Sequence, residues 1–175
     1  MGINIGKVLQ KLTIMSPYFI DFEAFQHGTE KYQMKELCIV DVDRPFSPLY
    51  YLFKSRTRWE TLDMDQQRTY HYQSHNVHSL GWYEGIIVYC RKCVWREIQE
   101  VFPMYKNGIF YVMGKQKMDY LQIEFPKLNF CEYKVTMNTL PYLSPNFSCI
   151  HRYHGEHCAC LKSYRLMKHY YQLPD

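Results

Sequence analysis

An apolar stretch interrupted by two acids is the feature that most constrains how this chain folds. Residues 18–25 read Tyr-Phe-Ile-Asp-Phe-Glu-Ala-Phe, a composition typical of a buried β-strand. Because side chains alternate between the two faces of a strand, Asp21 and Glu23 are predicted to share one face. Burying a charge without a partner is costly, so two carboxylates among aromatic residues need a reason. The pair is a candidate functional site; the plainer interpretation is two polar residues on an edge strand.

The pattern beyond this strand predicts an α/β fold with a mixed sheet. Residues 26–31, which contain His-Gly, are typical of a hairpin turn. The polar stretch 55–80 is predicted to be a long connection with one short helix. The other predicted elements are strands at 34–42, 49–54, 109–113 and 130–135, and helices at 85–102, 117–125 and 157–172. A meander of three strands followed by alternating helices and strands is expected to give a sheet covered by helices.

Length and composition indicate one domain in a reducing compartment. The chain has 175 residues, of which 47% are apolar and 22% charged, as in ordinary globular domains. Residues 1–16 are interpreted as a lead-in and residues 17–175 as the single domain. The first residues are not expected to form a signal peptide, and the apolar runs are expected to be too short to span a membrane. Because its seven cysteines cannot all pair, we expect an intracellular protein of the cytoplasm or nucleus, not a secreted one.

Cysteine and histidine are concentrated near the end of the chain. Of seven cysteines and eight histidines, the stretch 149–169 holds Cys149, His151, His154, His157, Cys158, Cys160 and His169. Zinc prefers thiolate and imidazole ligands, and short spacings favour a single ion. A zinc site is therefore expected here; the alternative is that these residues are neighbours by chance.

Two smaller groups are less informative. The sequence indicates that His71, His75 and His78 form one solvated helix face. Cys90 and Cys93 lie inside a helical pattern, so both thiols are expected to pack in the core. The alternative for the two cysteines is a redox pair or a second zinc site.

Four short motifs follow one another along the chain. Residues 19–23 carry Asp-x-Glu, and residues 35–41 read Lys-Glu-Leu-Cys-Ile-Val-Asp on the next strand. Residues 112–121 combine a strand that ends in glycine with a helix that carries Asp119, and residues 157–162 read His-Cys-Ala-Cys-Leu-Lys. Over most of residues 17–172, this order resembles the DnaQ-like 3′–5′ exonucleases of the RNase H-like fold.

The resemblance implies phosphodiester hydrolysis with two divalent cations, Mg²⁺ or Mn²⁺. It implies that Asp21, Glu23 and Asp119 are the carboxylate ligands and that His157 is the general base. The family's last motif is His-x-x-x-x-Asp, and here Lys162 stands in place of the final aspartate. A positive charge is therefore expected where a metal ion would lie.

The cysteine and histidine cluster is similar to that of the Maelstrom domain, which has the same fold but a Glu-Cys-His-Cys zinc site instead of the acids. The similarity implies that Glu36, on the second strand, and Cys158, at the start of the last helix, hold a structural zinc. The other ligands are expected among Cys149, His151 and His154. Their spacing differs from the family's Cys-x-x-His, so the set stays open, although an aromatic residue before the last histidine favours His154.

The basic residues favour nucleic acid as a partner. The net charge of +4 permits nucleic acid without requiring it. The cations expected to contact the phosphates of a single strand, with RNA favoured over DNA, are Arg56, Lys115, Lys117 and Lys162. The alternative is an ordinary solvated surface.

Three functions stay open at this point. Lys162 favours a degenerate, zinc-stabilised nuclease that binds single-stranded RNA or DNA. Retention of Asp21 and Glu23 favours an active, metal-dependent 3′–5′ exonuclease. The third is a structural or interaction protein without a nucleic-acid role.

Overall fold

The computed structural model describes residues 16–28, 31–102, 104–143 and 158–172, so most of the predicted lead-in lies outside the described residues. The strands are β1 (Pro17–His27), β2 (Lys31–Asp41), β3 (Leu49–Lys54), β4 (Ile87–Val88), β5 (Ile109–Met113) and β6 (Asn129–Tyr133). The helices are α1 (Met64–Gln73), α2 (Arg91–Val101), α3 (Lys115–Glu124) and α4 (Ala159–Tyr171). Short helical turns lie at Trp59–Thr61, Ser74–His78 and Met137–Thr139. Within these ranges, no helix is long and apolar enough to cross a lipid bilayer.

The described strands form one mixed sheet in the order β4-β3-β2-β1-β5-β6. β2 pairs antiparallel with β1 and β3, whereas β1–β5, β5–β6 and β3–β4 are parallel pairs. Phe19 pairs with Tyr111, so Asp21 lies level with the end of β5, where α3 begins. The predicted α/β class, a mixed sheet covered by helices, is confirmed.

The alternating side chains of β1 contribute to two cores on opposite faces of the sheet. Tyr18, Ile20 and Phe22 belong to the core that includes residues of α2 and α3. Phe19 belongs to the other core, which includes residues of α4. Asp21 and Glu23 follow Phe19 at steps of two residues, so β1 directs both acids to the α4 side of the sheet.

The predicted helix over 85–102 is wrong in its first turns, since α2 begins only at Arg91. Ile87 and Val88 pair with the end of β3 as the short edge strand β4. Gly85 has φ +128°, a conformation that no helix residue adopts. The apolar residues before α2 therefore belong to a strand although their spacing also suits a helix.

Gly85 is expected to be one of the least tolerant positions in this part of the chain. A Cβ on Gly85 would lie 2.2 Å from the backbone nitrogen of Lys54 and from the carbonyl carbon of Phe53. Gly28 also has a positive φ, +69°, but a Cβ on Gly28 would have no atom within 4 Å. We expect Gly85→Ala to lower the free energy of unfolding by about 3 kcal/mol and Gly28→Ala by about 1 kcal/mol. Urea denaturation of both variants measures the difference, and equal losses would contradict the steric explanation.

Candidate functional site

Three acids are buried where β1 and β2 pair. Asp21, Glu23 and Glu36 are 0%, 6% and 0% exposed, and Glu23 lies directly across from Glu36 in the antiparallel ladder. The register shifts just after Glu23, so Lys35 is left as the extra residue of a β-bulge. Like charges opposite one another destabilise a sheet, so this arrangement requires compensating groups.

Two lysines from different helices supply that compensation. The Nζ atom of Lys117, on α3, lies 2.6 Å from Oδ1 of Asp21 and 3.4 Å from Oε1 of Glu23. The same ammonium donates to the carbonyl oxygen of Phe22 at 2.6 Å, beyond the residues of β1 that pair with β5. Lys162, on α4, forms a buried ion pair with Oε1 of Glu23. Asp21, Glu23, Lys117 and Lys162 are hereafter called the acid–lysine cluster.

Burial and the lysines act in opposite directions on the two acids. Burial raises the pKa of Asp21, and the nearby ammonium groups of Lys117 and Lys162 only partly oppose it. Burial would also raise the pKa of Glu23, but the same two ammonium groups outweigh it and hold that pKa below its usual range. Burial would lower the pKa of Lys117, yet Asp21 and Glu23 raise it above the usual value. Oδ2 of Asp21 has no hydrogen-bond partner among the described residues, so Asp21 is the less satisfied acid.

The acid–lysine cluster does not fit a two-metal site. Divalent cations bind through carboxylate oxygens, and here an ammonium group already lies against each carboxylate. A metal ion would have to displace Lys117 from Asp21 and both lysines from Glu23. Within the cluster, the two ammonium groups offset the charge of the two carboxylates, which weakens the attraction of Asp21 and Glu23 for a cation.

The structure does not bring Asp119 to this cluster. Asp119 forms an ion pair with Lys115 at 3.1 Å, and its side chain is 54% exposed. Lys117 lies one helical turn before the buried Leu121, so these two share the face of α3 that turns to the sheet. Asp119 is two residues from each of them, about 200° around the helix, and faces away. His157, the predicted general base, lies outside the described residues.

The predicted nucleic-acid contacts divide into two groups. Lys117 and Lys162 belong to the acid–lysine cluster, and Lys162 is only 7% exposed. Lys115 is exposed beside Asp119. Arg56 is exposed and donates to the carbonyl oxygen of Tyr89 at 2.6 Å. Of the four, only Lys115 and Arg56 present their cations at the surface.

Glu36 and Cys158, two predicted zinc ligands, lie side by side in the core. The thiol of Cys158 donates to Oε1 of Glu36 at 3.3 Å, and the backbone N–H of Ala159 donates to Oε2 at 3.0 Å. Burial raises the pKa of Glu36, opposed by the hydrogen bonds from Ala159, Cys158 and Tyr50. In a tetrahedral zinc site, sulfur and oxygen ligands lie about 3.5 Å apart, so this pair fits two corners of such a site.

The other predicted zinc ligands, Cys149, His151 and His154, lie outside the described residues. Within the part of the chain that the structure describes, no three residues among histidine, cysteine, aspartate and glutamate form a metal-binding group. Of the predicted zinc ligands, Glu36 and Cys158 are the two that lie among the described residues.

A cleft on the α2 side of the molecule was not predicted. Its volume is about 540 Å³, and it is lined by Arg56, Cys90, Arg91, Lys92, Trp95, Glu124, Phe125, Pro126 and Lys127. Four of these residues are cationic, and the acid among them, Glu124, accepts a hydrogen bond from Tyr89. We call this surface the basic cleft. The sequence gives no local signal for it, because its three segments are far apart along the chain.

Two buried polar residues near the bulge were also missed. The Nζ atom of Lys35 donates to the carbonyl oxygens of Trp82 and Glu84 at 2.9 and 2.6 Å, and burial lowers its pKa to about 8. His78, predicted to be solvated, is 1% exposed and packs against the ring of Phe25. Of these two residues, His78 also contributes to lowering the pKa of Glu23.

Comparison of the sequence with protein-family models and with curated proteins finds no match. Three features of the structure bear on function: the acid–lysine cluster, the Glu36–Cys158 pair and the basic cleft.

Proposed function

We propose that this chain is a DnaQ-like, RNase H-like domain that has lost two-metal catalysis and binds single-stranded nucleic acid, with RNA favoured over DNA. The single observation that carries the proposal is the pairing of Asp21 and Glu23 with Lys117 and Lys162. The fold supports it through the order of its parts. The hairpin of β1 and β2 bears the acids. β5, which is followed by α3, lies next to β1 in the sheet, and α4 covers the face that carries the acids.

The lysines explain why the acids can persist without catalysis. Each carboxylate is buried, so removal of its ammonium partner would lower the stability of the fold. Once the ammonium groups were in place, loss of Glu23 would take the paired acid from the buried Lys162, and loss of Asp21 would take the nearer of two acids from Lys117. The acids are then retained for stability, and their presence does not require a metal-dependent reaction.

The basic cleft is the surface that we propose for the nucleic acid. Arg56, Arg91, Lys92 and Lys127 can contact phosphates, whose neutralisation supplies most of the affinity in sequence-independent binding. Trp95 is half-buried in the wall of the cleft, and an aromatic ring of this kind can stack with a base. The cations and the ring together suit a single strand with unpaired bases.

We also propose that zinc stabilises the fold. Glu36 and Cys158 would be two ligands, and His154 with Cys149 or His151 would complete the site. Bound zinc would join β2 to the start of α4 next to the acid–lysine cluster, and a closed four-ligand site of this kind stabilises the fold without taking part in a reaction.

Charge reversal in the basic cleft tests the binding surface. We expect the double variant Arg91→Glu/Lys127→Glu to bind fluorescently labelled single-stranded RNA at least about tenfold more weakly than the wild type at low salt, because two phosphate contacts become repulsive. Arg68→Glu/Lys106→Glu changes the net charge equally at exposed residues outside the cleft, and should lose much less affinity. Equal losses in both variants would contradict the assignment of the cleft. A wild type that binds neither RNA nor DNA would favour the structural or interaction role.

The same labelled strands test for catalysis. With Mg²⁺ or Mn²⁺, we expect the wild type to leave them intact. If the wild type shortens the strands and Asp21→Asn does not, the proposal is overturned and the active exonuclease is favoured.

A further inference from the structure

Cys90 and Cys93 are not core residues, contrary to the sequence-based prediction. Cys90 is the residue that precedes α2, and Cys93 lies in the first turn of that helix. Cys93 is exposed and Cys90 is partly exposed. Because α2 begins only at Arg91, the helical pattern that assigned both thiols to the core does not extend back to Cys90. The two thiols are open to reagents from solvent.

The two sulfur atoms are in contact. Sγ of Cys93 lies 2.7 Å from Sγ of Cys90 and donates a hydrogen bond to it. Residues three apart at the start of a helix have Cβ atoms about 5–6 Å apart, and small local adjustments bring such a pair within the range of a disulfide. The helix therefore does not have to unfold for a bond to form between them.

The surroundings of the two thiols differ, which gives them different roles. The hydrogen bond from the Cys93 thiol, the backbone N–H groups of Cys93 and Lys92, and the charge of Arg56 lower the pKa of the Cys90 thiol. The pKa of the Cys93 thiol is raised, chiefly because it donates to Cys90. Cys90 is thus the better nucleophile, and Cys93 is placed to react second.

We infer that Cys90 and Cys93 form a reversible dithiol–disulfide pair that reacts with anionic small-molecule disulfides. The charge of the surroundings selects this class of oxidant: Cys90 lies in the wall of the basic cleft together with Arg56, Arg91 and Lys92. A disulfide that carries carboxylates, such as glutathione disulfide, is attracted to these cations, whereas a cationic disulfide is repelled.

The reaction balances with the disulfide as a two-electron oxidant. The Cys90 thiolate attacks one sulfur of the small disulfide, forms a mixed disulfide and releases one thiolate. The Cys93 thiol loses its proton and attacks Sγ of Cys90, which breaks the mixed disulfide and releases the second thiolate. The protein gives up two electrons and two protons, and the small disulfide becomes two thiols.

Mass spectrometry of the full chain tests this inference independently of nucleic-acid binding. The reduced protein is incubated with glutathione disulfide at low ionic strength, quenched with acid and digested with trypsin. Trypsin cleaves after Arg91 and Lys92, so the disulfide should link the peptide that ends in Arg91 to the peptide Cys93–Arg96. Cys131→Ser, which removes another exposed thiol, should form the same linked peptides.

Single variants separate the two roles. In Cys93→Ser, we expect a glutathione adduct to accumulate on Cys90, at least about tenfold faster than on Cys131. Cys90→Ser should react at Cys93 only slowly. Absence of the linked peptides from the wild type would overturn the dithiol pair. Equal rates with glutathione disulfide and the cationic disulfide cystamine would overturn the preference for anionic oxidants.

Discussion

Replacement of Lys162 by methionine is expected to lower the free energy of unfolding by about 3–5 kcal/mol at neutral pH. The ammonium of Lys162 pairs with Glu23, and both side chains are less than a tenth exposed. Methionine has a similar length but no charge, so the variant leaves two buried acids with the single ammonium of Lys117. Urea denaturation followed by circular dichroism measures the loss.

The loss should shrink as the pH falls. The pKa of Glu23 is held below its ordinary value of 4.5 in the folded wild type. Glu23 therefore stabilises the wild type above that ordinary value, and this contribution is lost as the pH falls through the folded pKa. Without Lys162, burial of Glu23 is opposed chiefly by Lys117, with a smaller contribution from His78, so its pKa rises and the acid takes up a proton at higher pH. The two proteins should differ most near pH 7 and least below about pH 4.

Two further variants distinguish the ion pair from a loss of packing. Glu23→Gln/Lys162→Met removes both charges, and we expect it to recover more than half of the lost stability. Lys115→Met removes an exposed lysine whose partner is Asp119, and should cost less than about 1 kcal/mol. A loss in Lys162→Met that is the same at every pH and is not recovered in the double variant would contradict the electrostatic explanation.

The pattern of the sequence was sufficient to predict the central strands. Alternation in residues 18–25 locates β1 and directs Asp21 and Glu23 to one face, because period two in a strand is a local property. The prediction of a helix over 85–102 was wrong in its first turns, because the spacing of apolar residues cannot show which distant strand a segment pairs with. Residues 87–88 pair with β3, and that pairing depends on the distant strand and on the backbone of Gly85.

The chemistry of the site was harder to predict than its location. The sequence places Lys117 and Asp119 on one helix, and only the rotation of α3 decides which of them reaches β1. The buried Leu121 is a local signal for that rotation, since Lys117 lies four residues before it. The basic cleft has no such signal, because Arg56, Trp95 and Lys127 come together only in the folded chain.

The zinc proposal has an equally large expected effect, because binding of a structural zinc contributes directly to folding free energy. Apparent binding free energies of about 10–16 kcal/mol in structural sites are comparable with the whole stability of a domain, about 5–15 kcal/mol. We expect protein purified under reducing conditions to contain about one zinc per chain by elemental analysis. Removal of the metal by a chelator should unfold much of the protein.

Cys158→Ser discriminates a zinc ligand from a simple hydrogen-bond donor. In the described residues the thiol of Cys158 donates to Glu36, and a serine hydroxyl can donate in the same way. If that hydrogen bond is the whole role of Cys158, the variant should lose less than about 1.5 kcal/mol. If Cys158 holds zinc, serine is a poor replacement for the thiolate, and the variant should retain less than about a fifth of the zinc and unfold at physiological temperature. Cys131→Ser, at an exposed cysteine of β6, is the control and should keep both the zinc and the fold. The zinc site would be excluded if the wild type contained no metal and Cys158→Ser were stably folded.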